Sequence, residues 1–542
     1  MQLVYTILIM LLVVSGTRIS AQLIPLPLPI LQILMGALLA IPVFGLHVRL
    51  EPELFLLLFI PPLLFVDGWR MPKGQFRELR TPILLLAFAL VFFTILCAGL
   101  FIHWLLPQVP LAACFALAAV LSPTDAVAVS AIAHGKLPNT LNNLLQGEAL
   151  MNDASGLVAF KFAVAAALTG VFSLSDASLQ FLWVASGGLL VGVALSYLLG
   201  KVRAWMIARG WEEPAPHVLL MLLLPFAAYV AAEHWGLSGI LSAVAAGMMQ
   251  SRLDLLPRQT TTRLLNRSVW ALLEFTFNGL IFLLLGLQLP DIVKAALLTH
   301  DSPLQMSLTA LLYIVLVYGV LMILRFVWVY CYWRISGKLR RLRGRPTRFA
   351  GQSRIALSAV LTLGGVRGAV TLAGVMSLPL LLNNGEHFPE RDLLILIAAG
   401  VILLSLLVAS VGLPWVLPKV PQDNAELREA ELNIHRQHIL SSAIRVLESQ
   451  ELPEATPEVM AKASETKAKI MAEYRELLER THHVEHDPAL MRKMNEFERT
   501  VRLQALRAQR LELYRLRQNH QLDDDLLLTI LRELDIAEAR LG

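Results

Sequence analysis

The chain has 542 residues, 56% hydrophobic and only 16% charged, with a mean hydropathy of +0.62. Soluble domains carry about 25% charged residues, so the composition argues against an ordinary soluble enzyme, a disordered chain or a disulfide scaffold. The net charge of +5 is small for this length and gives no sign of a nucleic-acid partner. That charge is unevenly spread. Residues 1–420 hold 28 Lys and Arg against 18 Asp and Glu, whereas residues 421–542 hold 18 against 23. An apolar block over 1–420 is thus followed by a charge-rich tail over 421–542. Cys97, Cys114 and Cys331 lie in separate apolar runs with no CxxC, the pattern of free, buried thiols.

Apolar runs of about 18 residues can cross a bilayer as helices. Thirteen such runs are read, at roughly 2–17, 24–44, 52–67, 81–106, 110–133, 144–170, 178–200, 216–233, 236–250, 268–289, 304–333, 355–382 and 392–418. The first has no basic residue ahead of it and lacks the form of a cleaved signal peptide. Loops after odd-numbered runs hold Arg18, then Arg70, Lys73, Arg77 and Arg80, then Lys136, then Lys201, Arg203 and Arg209. They continue with Arg252, Arg258, Arg263 and Arg267 and end with the dense run Arg334 to Arg354. Loops after even-numbered runs hold only Arg49, Lys294 and Arg391. Positive charge marks the cytoplasmic side. The expectation is an all-α polytopic membrane protein with its N-terminus outside and its C-terminus cytoplasmic.

A lone charge at mid-bilayer costs at least ~2.5 kcal/mol, so each one needs a partner or a function. Asp67 ends the third run, placed either on an ion path from the cytoplasm or as a helix-end aspartate beside Arg70. The fifth run contains Ser122-Pro123-Thr124-Asp125. Pro123 removes a backbone donor and disfavours helix at Ser122. A break there frees carbonyls, and these join Thr124 and Asp125 as hard oxygen donors suited to a hard cation. A proline kink with Asp125 capping the second half-helix needs no ion and accounts for the same residues.

The sixth run contains Gly147-Glu148-Ala149-Leu150-Met151-Asn152-Asp153. Glu148 and Asn152 share a helix face, and Asp153 lies about 100° further round, all within about 8 Å of rise. Burial disfavours the charged form of a carboxylate. Asp153 is therefore expected to hold either a proton or a monovalent cation, not both, which is the minimum chemistry of exchange. Lys161 lies about 12 Å outward of Asp153, near enough to the surface to snorkel. Glu274 and Arg325 are expected to pair with each other or with neighbours, and Asn278 to serve as helix-packing glue.

The twelfth run contains Gly364-Gly365-Val366-Arg367-Gly368-Ala369. Its glycines weaken the helix, and Arg367 keeps its proton, so it needs a carboxylate. Glu148 is the first choice for that structural pair. The broken fifth and twelfth runs lie seven apart and so run in opposite directions. This is the pattern of two inverted six-helix repeats with the site at their interface. Ala119-Val120-Leu121-Ser122 and Ala359-Val360-Leu361-Thr362 precede the two breaks.

The tail reads as soluble helix, a small bundle or dimerising segment. Leu490, Met494, Phe497 and Val501 form one apolar stripe, and Asp523-Asp524-Asp525 an acidic helix start.

Together, Ser122 to Val129, Gly147 to Ala154 and Gly364 to Ala369 resemble the monovalent cation:proton antiporter-1 family, which includes prokaryotic and animal sodium/proton exchangers. The resemblance covers roughly residues 1–420. It implies a thirteen-span homodimer with separate core and dimerisation regions and elevator-like alternating access. It implies that Asp153 alternately binds cation and proton, and that Asp125 and the Thr124 backbone border the transported ion. Asn152 marks an Asn-Asp form associated with electroneutral one-for-one exchange. Glu148 and Arg367 would form the supporting pair. Asp67 matches in place an acid that approaches the ion in some prokaryotic members. One departure is Ala149, where the family often has a serine whose hydroxyl can help hold the ion. Asp523 to Leu541 resembles the C-terminus of bacterial members, so a bacterial inner membrane is expected.

The expected partners are sodium or potassium with protons as substrates, the lipid bilayer and a second copy of the chain. No cofactor, nucleic acid or enzymatic activity is expected. The alternatives are a potassium-selective exchanger, an intramembrane aspartyl protease, and a non-transporting receptor signalling through the tail. The protease reading lacks its Gly-x-Gly-Asp environment and gives no role to Asn152 or Arg367. The receptor would tolerate loss of Asp153.

Overall fold

The computed structural model describes the chain apart from residues 1, 25, 42–45, 47–50, 72, 170–173, 212, 254–259, 298–302, 343–352, 383–384, 421–424, 450–456, 487, 519–523 and 540–542. Arg49, Arg258, much of the Arg334–Arg354 run and Asp523 lie outside the described residues. The chain divides into two compact units, Met1–Gln422 and Asp423–Gly542. Apart from an isolated bridge between Leu381 and His387, the described elements are helices.

The first unit begins with α1 (Gln2–Ser20), α2 (Leu28–Leu39), α3 (Pro52–Leu58), α4 (Ile60–Arg70) and α5 (Lys73–Leu84). A π-helical segment, Leu85–Leu90, joins α5 to α6 (Val91–Leu105). There follow α7 (Leu111–Leu121), α8 (Ala126–Ala133), α9 (Asn139–Thr169), α10 (Leu174–Ala208), α11 (Pro214–His234) and α12 (Gly239–Leu253). The unit closes with α13 (Thr260–Leu297), α14 (Pro303–Leu342), α15 (Arg354–Leu363), α16 (Ala369–Met376) and α17 (Arg391–Val416). Among the described residues, seven helices are long and apolar enough to cross a membrane, or eight if α7 and α8 count as one bent span. The other expected spans are represented by shorter helices. Proline and glycine interrupt several of them: α3 gives way to α4 just before Pro61-Pro62, and α15 stops at Gly364-Gly365.

Burial sorts the helices. α7 is apolar all round and almost wholly buried, as expected of an interior helix. α9 and α17 are mostly buried, whereas α10 and α14 expose most of their apolar surface, including Leu190, Leu198, Leu308 and Val315. α2 meets α13 through Gly36 and Gly286. A Cβ on Gly36 would stand 2.1 Å from the Leu283 carbonyl oxygen, and one on Gly286 2.0 Å from that of Ile33. No side chain fits there, so glycine sets this close approach. The cysteines are free, but of the three Cys114 alone is buried; Cys97 is half-buried and Cys331 is exposed on the outer face of α14.

The second unit comprises α18 (Ala425–Ser449), α19 (Pro457–His486), α20 (Pro488–Gln518) and α21 (Asp524–Ala539). Arg510 on α20 bridges Asp535 at 2.5 Å and Glu538 at 2.6 Å on α21. Of the expected stripe, Met494, Phe497 and Val501 are exposed, and the Leu490 side chain lies outside the described residues.

Candidate functional site

The two helix breaks fall where proline and glycine place them, and they cross. α7 ends at Leu121, and α8 starts after Asp125 with a 43° change of direction. Asp125 caps α8: one carboxylate oxygen accepts the Val127 N–H at 2.9 Å and the Ala128 N–H at 3.1 Å. The Asp125 N–H donates to the Val366 carbonyl in the other break at 2.8 Å. Gly368 lies against this aspartate so closely that a Cβ there would sit 2.2 Å from Asp125 Oδ2. Gly368→Ala is therefore expected to force the breaks apart and abolish function while the two chain units stay folded. Wild-type activity of a purified Gly368→Ala variant would refute the crossing.

Each half-helix that ends at a break leaves carbonyls without helical donors. Two arginines satisfy them. Arg367 Nε donates to the Leu121 carbonyl at 2.6 Å, and Arg325 Nε donates to the Leu361 carbonyl at 2.8 Å. Leu121 and Leu361 are the matching leucines of the two short similar stretches.

α9 carries Asn152 and Asp153 past this crossing. Asn152 is fully buried, and its amide donates to Thr124 Oγ1 at 2.9 Å. It thus ties α9 to the first break and does not border the open space. Two residues beyond Asp153, the Ser155 hydroxyl donates to the Ala87 carbonyl at 2.7 Å. Ala87 lies in the π-helical segment. α9 is thereby fixed on both sides of Asp153.

Asp153 opens onto a cavity of about 210 Å³. Thr124, Asp125, Gly368 and Thr371 line it from the breaks, and Ala149 lines it from α9 with a methyl group. Asp67, Arg70, Glu274 and Asn278 complete the facing wall. Among the described residues no hydrogen-bond donor reaches the Asp153 carboxylate, and the charges acting on it are those of Asp125 and Asp67, both acids. A carboxylate so placed attracts any small cation that enters, a proton included. Asp67, Thr124, Asp125 and Asp153 are thus brought together; Asn152 stands behind them.

The expected pair of Glu148 with Arg367 is not formed. Glu148 is held by Arg325 through two bonds, one of 2.8 Å between Nη2 and Oε2, with both side chains almost wholly buried. Arg367 instead spends its donors on the Leu121 and Gly365 carbonyls, and its backbone N–H on Ser405 Oγ at 3.0 Å. The physical reason is the helix break itself: its carbonyls are acceptors enough for Arg367. Gly365 leaves room for Arg325, since a Cβ there would meet Arg325 Nε at 2.7 Å.

Arg70 bonds Glu274 on the cavity wall, so Glu274 and Arg325 do not pair with each other. Lys161 does not simply snorkel; it bridges Glu233 at 3.0 Å. Sequence reasoning missed Glu274, Asn278 and Thr371 as cavity residues. The first two show only as isolated polar positions in an apolar run, and Thr371 as an ordinary helical threonine, so nothing local reveals the cavity.

A helical membrane fold with two crossed, broken helices around an open carboxylate is the architecture of a secondary transporter. The sodium/hydrogen exchanger transmembrane family profile matches residues 7–419, and the chain belongs to that family. Over 551 aligned residues it is 43% identical to a protein of Escherichia coli K12 named the uncharacterized Na(+)/H(+) exchanger YjcE, covering 100% of this chain and 99% of that one. It is 39% identical to the sodium, potassium, lithium and rubidium/H(+) antiporter of Bacillus pumilus, over 96% of this chain and 76% of that protein. Among solved structures, the sodium proton antiporter MjNhaP1 of Methanocaldococcus jannaschii shares the fold, with a TM-score of 0.57 at 18% identity over 78% of this chain and 99% of that one. The chain is a multi-pass membrane protein, a transporter and not an enzyme.

Proposed function

We propose that the chain exchanges a monovalent cation for a proton at Asp153 by alternating access. The observation that carries this reading is the Asp153 carboxylate, which faces the cavity with acids for neighbours and no donor bonded to it. The Asn152-Asp153 pair resembles the form of the site associated with electroneutral one-for-one exchange, and one carboxylate at Asp153 taking either a proton or a monovalent cation supports that stoichiometry. Thr124, Asp125 and Asp67 supply further oxygen to the ion, and Asn152 positions Thr124. Glu148 with Arg325, and Arg367 at the first break, hold the surrounding helices.

Arg70 borders the cavity and belongs to the Arg-rich loops that the positive-inside rule assigns to the cytoplasm. The cavity is thus the entrance from the cytoplasm. The family resemblance supports a homodimer in a bacterial inner membrane, with the broken helices moving as a core. The B. pumilus relative, named for sodium, potassium, lithium and rubidium, supports broad selectivity within this mechanism.

The test is the wild-type protein in everted vesicles carrying an imposed pH gradient. Sodium, potassium and lithium are expected to dissipate it, with lower half-saturating concentrations at higher pH because protons and cations compete. Clamping the membrane potential should leave the rates unchanged. No cation-driven pH change would overturn the exchange, and a potential-dependent rate would overturn one-for-one stoichiometry.

A further inference from the structure

One hydroxyl on a residue beside the cavity is not used by the site as described. Thr371 lies in the first turn of α16, is 1% exposed, and borders the cavity together with Thr124, Asp125 and Asp153. Its hydroxyl is shut off from water and has no hydrogen-bond partner among the described residues. Several other buried hydroxyls of this chain turn back to a carbonyl one turn earlier, although the Ser358 hydroxyl on α15 is likewise unpaired among the described residues. Thr362 donates to Ser358 at 2.6 Å and Ser405 to Ile402 at 2.7 Å. Thr371 cannot do the same, because the residues one turn before it are Arg367 and Gly368, in the unwound break. Of the buried, unpaired polar side-chain atoms among the described residues, this is the one whose residue borders the cavity.

A buried hydroxyl without a hydrogen bond is a net cost to the fold, so replacing it by an apolar group of the same shape would be neutral or stabilising. A hydroxyl oxygen is also a hard donor suited to an alkali cation. The α9 wall offers no such oxygen one turn before Asp153, since Ala149 stands there. α16 packs tightly against α7 and α9: a Cβ on Gly374 would meet Val120 at 2.9 Å and Leu157 at 3.3 Å. Thr371 is therefore held firmly on the second broken helix, while Thr124 and Asp125 come from the first.

We propose that the Thr371 hydroxyl is a ligand of the transported cation, taken up when the ion sheds its water and settles against Asp153. This rests on the reading of the cavity as the exchange site. Both broken helices then contribute oxygen to the ion, not the first alone. The hydroxyl, unpaired among the described residues, is then paired with the ion.

The experiment compares wild type with T371V, T371A, T371S and D153N in reconstituted vesicles and in detergent. T371V keeps the shape and removes the hydroxyl. It is expected to raise the half-saturating sodium concentration about ten-fold, the scale of one lost polar contact. Its maximal rate should change far less. T371A should repeat the shift, and T371S, which keeps the hydroxyl, should stay within two-fold of wild type. In detergent, sodium raises the unfolding temperature of a protein that binds it. That rise should shrink in T371V while its unfolding temperature without sodium is equal to or above that of wild type. Wild-type half-saturation in T371V and T371A would overturn the proposal. So would a T371S as impaired as T371V, which would make the residue a packing element. D153N separates the two readings: if it retains exchange, the site assignment fails, whereas if it is inactive and T371V behaves as wild type, only the Thr371 ligand is lost.

Discussion

Asp153→Asn is expected to abolish cation-driven pH change in everted vesicles while leaving the protein folded. The substitution preserves shape and removes the one group that can carry alternately a proton or a monovalent cation. Folding should survive because the Asp153 carboxylate makes no hydrogen bond or ion pair among the described residues and its strongest charge neighbours are acids. Removing a charge from such a cluster relieves repulsion. The unfolding temperature in detergent should therefore match or exceed that of wild type, and its rise with added sodium should disappear. Measurable sodium/proton exchange by this variant would sink the assignment of Asp153, and with it the one-carboxylate mechanism.

The opposite behaviour is expected one turn away. Glu148 sits on the same helix but is buried and held by two bonds to Arg325. Removing either partner leaves an uncompensated buried charge, a loss of about 3–5 kcal/mol. Arg325→Ala also strips the donor from the Leu361 carbonyl at the end of α15. Both single variants should give low folded yield and a strongly lowered unfolding temperature. A double variant, Glu148→Leu with Arg325→Met, should recover much of the loss, because well-packed apolar replacements of a buried pair are often neutral. A double-mutant cycle should show strong coupling between Glu148 and Arg325 and weak coupling between Glu148 and Arg367. Strong Glu148–Arg367 coupling would contradict the pairing. Normal stability of Glu148→Ala would show that the pair holds nothing.

The contrast between these acids explains what was legible beforehand. Asp125, Glu148, Asp153 and Arg367 stand out because charges are rare in apolar runs and each is costly there. The breaks at Pro123 and Gly364-Gly365 are equally visible, since proline and glycine act on their own backbone. What each charge does was less legible. Arg367 keeps its proton and so calls for a carboxylate, with Glu148 as the first choice in the sequence. Its donors go instead to carbonyls at the breaks, which exist only once the helices have stopped there. Arg325 sits in an otherwise continuous apolar helix, with no local mark of its role.

The sequence by itself determined the membrane-spanning helical class, the division between apolar block and charged tail, the positions of the two breaks and the candidate carboxylates. These follow from composition and from the local backbone chemistry of single residues. Only the tertiary structure decided that Arg325 holds Glu148, that the breaks cross at Asp125 and Val366, and that Glu274, Asn278 and Thr371 share a cavity with Asp153. Arg325 lies 177 residues along the chain from Glu148. At that separation no periodicity or spacing brings two side chains together; helix packing does, and in a low-dielectric interior it alone selects which opposite charges meet.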